Sequence, residues 1–163
     1  MSFIAVEPST PNSNPPSSAT TVENDGWYID INLPLMRDAM RLDGTVTDPR
    51  LRQAVVAAIM HVNQELADWK RDQIAAGYKT LAAVPADHID RESVLIAHYR
   101  RAVYSTAKAD MIERYRDIDS TASSLSDKKM MEWLDTAPSD QRRNAHWAIA
   151  NIIGRPHMTV ELI

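Results

Sequence analysis

The chain has 163 residues, 44% of them hydrophobic and 25% charged, which is enough for one domain with a buried core. No apolar run approaches the ~20 residues of a membrane span, and the lack of any cysteine excludes disulfides, thiolate zinc sites and cysteine nucleophiles. The formal charge of −4 comes entirely from residues 1–32, which hold Glu7, Glu23, Asp25 and Asp30 and no Lys or Arg; the neutral remainder lacks the net basic face that non-specific nucleic-acid binding needs.

The first segment opens MSFIAVEPST, without a basic leader followed by an apolar stretch, so secretion is not expected. Pro8, Pro11, Pro15 and Pro16 stand among Ser, Thr and Asn, and such a composition buries too little apolar surface to offset its ordering entropy. Residues 1–28 therefore read as a flexible arm, 29–155 as a helical domain and 156–163 as an extended tail. Trp27 and Tyr28 are expected to pin the arm onto the domain, because aromatic rings bury large areas.

Beyond the arm, glycines and prolines fall between periodic segments and mark helix ends. A short helix is expected over 33–42, with Asn32 as its cap, Pro34 in its first turn and Gly44 closing it. A long helix should begin at Asp48-Pro49, with Asp48 as cap, and run to Ala76 before Gly77. Leu51, Val55, Ile59, Val62, Leu66 and Trp69 form its apolar stripe.

Residues 91–137 contain neither glycine nor proline, and Asp90 before them fits an N-cap. The helix that follows, to about Arg116, should bury Leu95, Tyr99, Ala102, Thr106, Ala109 and Ile112. Arg100, Arg101, Lys108, Asp110, Glu113 and Arg114 would sit on its flanks, with Asp110 and Arg114 paired four residues apart. Ser120–Ser126 reads as a loop or weak turn, and residues 128–135 as a short helical piece. Ser139 is the expected cap of a last helix that buries Ala145, Ile149, Ile152 and Ile153, carries Trp147 at its edge and stops at Gly154 and Pro156. The chain closes on HMTVELI, an alternating extended tail. No region is strand-rich, so the fold is expected to be all-α: a bundle of about four to five helices.

Chemistry finds little to use. His61 and Glu65 lie four apart but without an HExxH pattern, and two ligands do not make a catalytic zinc site. His88 and Asp90 face the same objection; His98 and His146 read as helix-flank residues, and His157 as part of the tail. No G-x-S-x-G elbow and no glycine-rich phosphate cradle occurs. Neither an enzyme nor a metal or cofactor site is expected. Arg100, Arg101, Arg142 and Arg143 are the candidates for a basic patch; the plainer reading is solvated helix faces paired with carboxylates.

The stretch "LRQAVVAAIMHVNQELADWKRDQIAAGYKTLAAVPADHIDRES", followed by "YRRAV", "ERYRDID" and "AHWAIANIIGRP", resembles the head completion proteins of temperate, contractile-tailed bacteriophages from about Ile29 to the end. In that family a glycine is common where Arg91 stands, and the stretch from Ser120 to Gln141 diverges freely. The resemblance implies a non-enzymatic virion adaptor, present in the host cytoplasm during assembly, that joins the portal vertex after DNA packaging. It would close and stabilise the filled head and offer a docking surface for neck or tail proteins.

Such adaptors form rings matched to the portal, commonly dodecameric, and their C-terminal segments commonly reach onto it. Met158, Val160, Leu162 and Ile163 are accordingly the expected portal contacts, with arm and tail ordered by neighbours. Contact with packaged DNA would be transient. The competing reading is a DNA-contacting helical regulator that uses the two arginine pairs, and the third is a metal-dependent hydrolase.

Overall fold

The computed structural model describes residues 20–42, 44–119 and 138–157, with side chains for all of these except 115–119. The expected loop at 120–126, the helical piece at 128–135, the first nineteen residues of the arm and the tail contacts Met158 to Ile163 lie outside the described residues.

The described chain is mainly helical. Strand β1 (Thr21–Val22) pairs antiparallel with β2 (Ile31–Asn32). Helix α1 (Leu33–Ala39) follows at once, then α2 (Asp48–Glu65), α3 (Ala67–Ala75) and a 3-10 turn at Leu81–Ala83. A hairpin of β3 (His88–Ile89) and β4 (Glu92–Ser93) leads into the long α4 (Val94–Asp119), and α5 (Pro138–Ile153) completes the order.

Helix α4 is the axis. Helix α5 packs along one side of it and α2 along another. Its burial is wider than the expected stripe: Val103, Tyr104, Ser105, Ala107, Lys108 and Met111 are buried along with Tyr99, Ala102, Ala109 and Ile112, because the helix has neighbours on several sides. Thr106 is only half-buried, and its hydroxyl donates to the Ala102 carbonyl at 2.9 Å. Lys108, expected on a solvated flank, is inside, where its ammonium donates to the Met40 carbonyl at 3.1 Å. Burial, and then the nearby Arg41, push its pKa down.

Thr20 to Tyr28, assigned from sequence to the arm, form part of the body. The Leu33 amide donates to the Thr20 carbonyl at 2.9 Å, Arg52 reaches the Thr21 carbonyl at 2.9 Å, and Val22, Trp27 and Tyr28 are buried. Trp27 donates from its indole to the Tyr78 carbonyl at 3.1 Å, and the Tyr28 ring stacks on Tyr99 at 4.5 Å and 10°. Beneath them three polar side chains close a ring. Asn24 Nδ2 donates to the Tyr99 hydroxyl at 2.8 Å, that hydroxyl donates to Asn63 Oδ1 at 2.6 Å, and Asn63 Nδ2 donates to Asn24 Oδ1 at 2.9 Å.

Helix ends obey the sequence at some places and correct it at others. Asn32 caps α1, accepting from the Leu35 amide at 2.9 Å. Gly44 does not close that helix; Arg41 does, at φ 53, with the Leu42 amide on the Arg37 carbonyl and the Arg41 amide on that of Asp38. Asp48 lies inside the first turn of α2 rather than capping it, and its carboxylate takes Arg37 at 2.7 Å. The single helix expected over 48–76 breaks at the fully buried Leu66, where no glycine or proline stands. Beyond the break Trp69 meets Trp27 edge-on, and Lys70 pairs with Asp25 at 2.6 Å. Ser139 is likewise inside α5, which starts at Pro138.

The largest revision is at Asp90, which caps nothing. Asp90 and Arg91 occupy the turn of the β3–β4 hairpin with φ 51 and φ 65, and α4 starts four residues later with Ser93 Oγ accepting from the Leu95 amide at 3.3 Å. Two successive positive φ values are the signature of a tight hairpin turn, which favours Asp-Gly. That explains why a glycine suits position 91.

Replacing Tyr99 by Phe should destabilise the fold by about 1–3 kcal/mol, since it opens the circuit and leaves the half-buried Asn63 carbonyl without its donor, while Asn24 keeps the Ile29 carbonyl; chemical denaturation of the two proteins measures this. Arg91→Gly should instead raise stability by about 0.5–1 kcal/mol by removing the steric cost of a left-handed side-chain residue.

Candidate interaction surfaces

Among the described residues no group of three or more His, Asp or Glu is placed to hold a metal ion. The histidines lie on different elements. His88 is exposed on β3, with Nδ1 3.1 Å from the Ala86 carbonyl, and Asp90 is exposed at the turn. His61 and Glu65 do share a face of α2, and His146 of α5 stands across a groove from them. His98 on α4 is half-buried; burial, then Arg101 and His157, hold its pKa below the ordinary value.

The four arginines proposed as a basic patch are mostly occupied by neighbours. Arg100 makes a bidentate pair with Glu92, at 2.9 and 2.7 Å. Arg142 donates from Nε to Glu113 at 3.2 Å and from a terminal nitrogen to its other oxygen. Arg143 pairs with Asp140 at 3.0 Å and lies over the Trp147 ring at 5.2 Å. Arg101 alone of the four has a neutral partner, Asn144 Oδ1 at 3.0 Å. Pairs from α4 to β4, from α5 to α4 and within α5 thus neutralise charge that phosphate contacts would require. The expected Asp110–Arg114 pair is present but loose, at 4.0 Å.

Two other surface features bear on contacts with partners. Helices α2 and α5 both rest on α4, and between them runs a groove made of two adjoining cavities of about 660 and about 640 Å3 that share Glu65, His146 and Ile149. Its floor includes Ala57, Ala109 and Ala145, and Asp68 and Asp72 of α3 extend its acidic wall. The second feature is the end of α5. Gly154 turns the chain at φ 69, and His157 returns to stack on Trp147 with ring centres 5.3 Å apart and planes 2° from parallel. Exposed apolar side chains stand elsewhere, Met60 at 67% on α2 and Ile89 at 72% beside the hairpin turn. No sequence pattern singled out these two, because isolated apolar residues carry no periodic signal.

The described residues present helical faces, a hairpin tip and a turn after α5. Residues 22–163 match the family described as phage head completion protein (GPL). The chain belongs to this family. It is also similar to the head completion/stabilization protein of Escherichia phage P2, at 38% identity over 149 residues, which cover 91% of this chain and 86% of that relative. No solved structure matches. The family match begins at Val22, in β1, so it includes the packed segment before Ile29 as well as the helices.

The Arg100–Glu92 pair ties the hairpin to α4 and makes a pH prediction. Arg100 holds the Glu92 carboxyl below its ordinary value, against a smaller opposing effect of burial. A depressed carboxyl stabilises the fold above its unfolded value, about 4.3, and loses that contribution as pH falls through the lower folded value. The melting temperature of the native protein should therefore exceed that of Glu92→Gln at pH 6, and the gap should shrink as pH drops from about 5 to about 3.

Proposed function

We propose that this protein completes the phage head by binding at the portal vertex after DNA packaging, where it closes and stabilises the filled capsid and offers a docking surface to neck or tail proteins. The observation that carries the reading is the family match over residues 22–163, together with the P2 relative named for head completion and stabilisation. The exposed apolar side chains of the described surface, such as Met60 and Ile89, suit protein contacts and support the reading.

In this reading the subunits form a ring on the portal, dodecameric where the portal is, through two different complementary surfaces on each copy. Met158, Val160, Leu162 and Ile163 supply apolar contacts to the portal, in the manner of an added strand or a segment laid into grooves. The protein is then a virion component that assembles in the host cytoplasm. Contact with DNA is brief, and no cofactor takes part.

Purified protein mixed with portal rings should give a ring-sized mass increase by native mass measurement, and removal of residues 158–163 should abolish it. An unchanged increase after that deletion would refute the role of the tail. Binding to bare DNA that falls steeply with salt would favour the regulator reading in place of the adaptor.

A further inference from the structure

The last helix does not simply fray into the segment that follows it. Gly154, at φ 69, lets the Arg155 amide donate back to the Ala150 carbonyl at 2.9 Å and its own amide to that of Asn151 at 3.4 Å. This double closure reverses the chain direction at the end of the helix. Three residues on, His157 is held in two ways. Its ring stacks on Trp147 at 5.3 Å and 2°, and its Nε2 sits 2.7 Å from Asn151 Oδ1, a donor distance for a ring N–H. Arg143 in turn lies over the Trp147 ring.

Trp147 is only half-buried and is not part of the core cluster, so hydrophobic packing of the domain does not account for it. Its flat neighbours do. Helical spacing puts 143, 147 and 151 on one face of α5, whereas the groove is lined from 142, 145, 146, 149, 150 and 153. The chain passes the groove at Arg155 and Pro156 and crosses to the opposite face, where His98 and Arg101 of α4 stand near.

We infer that Trp147, Asn151 and His157 form a clasp that fixes where and in which direction residues 158–163 leave the body, away from the groove between α2 and α5. Trp147 and Asn151 are then positioning residues for the portal contact. That consequence rests on the reading under Proposed function; the clasp itself does not.

The gain is one of effective concentration. Holding the chain at His157 rather than releasing it back to Ile153 shortens the tether to any contact further along by four residues, or roughly 14 Å of extended chain. Local concentration at a fixed target falls as about the −3/2 power of tether length, and the loss compounds over a ring.

The chain has no cysteine, so labels can be placed at will. Spin labels on Ala75→Cys and Pro156→Cys should give a narrow distance distribution in the otherwise native protein. Trp147→Ala should broaden it, and His157→Phe, which keeps a flat ring, should restore most of the sharpness lost in His157→Ala. Portal affinity should fall about two- to tenfold in Trp147→Ala and in His157→Ala, and the double variant should be no weaker than either single.

Identical distance distributions with and without Trp147 overturn the clasp, as do additive losses in the double variant. If distances respond to Trp147→Ala but deletion of residues 158–163 leaves portal binding intact, the clasp stands and the portal role of the segment falls.

Discussion

Three hydrogen bonds among Asn24, Tyr99 and Asn63 form the constraint on which the rest of the body depends. They join the segment before β2, the last turn of α2 and the first turns of α4, so three stretches remote in sequence are fixed by one closed circuit. A buried polar group costs free energy unless it is paired, and a fully satisfied network turns that liability into a specification of register. Tyr28 stacks on Tyr99 above the circuit, Lys70 lies over the Trp27 and Tyr28 rings, and Asp25 holds both Lys70 and the amides of Trp27 and Tyr28. Burial acts to raise the Asp25 carboxyl, but Lys70 and those two amides together hold it below its ordinary value. The segment from Thr20 to Asn32 is therefore a wall of the domain and not a strap laid over it.

Much of the fold could be read from the sequence because its cues are local. Asn32 before Leu33-Pro34, the stripe from Leu51 to Leu66, and Gly77 and Gly154 after their helices each announce an event within a few residues. All behave accordingly. The misses share a different cause. Lys108 is buried because α1 ends against α4, and a sequence window around Lys108 contains no trace of Met40. The break at Leu66 serves contacts with Trp27 and Asp25, more than thirty residues away. Aspartate suits both caps and tight turns, so Asp90 reads from sequence alone as a cap. The alternation of short strands that would have separated these roles is only two residues long on either side.

The candidate interaction residues follow the same division. That Arg100, Arg142 and Arg143 are engaged by carboxylates was legible as a general tendency of charged helix faces, yet the partners Glu92 and Glu113 lie eight and twenty-nine residues away from their arginines. The groove between α2 and α5 and the return of His157 to Trp147 have no sequence signature at all, since both arise from how two helices are set on a third. What the sequence conveyed about role came from family resemblance. The structure adds which surfaces are free to meet a partner and which are consumed internally.

Helix α4 carries both α2 and α5. The outward face of α5 lies apart from the circuit of Asn24, Asn63 and Tyr99, and changes at sites that share no partner combine almost independently. Substitutions can accumulate on the outward side of α5 without disturbing the aromatic and polar circuit across the axis. A lineage can in this way retune what it docks against while the half that secures its own architecture stays as it is.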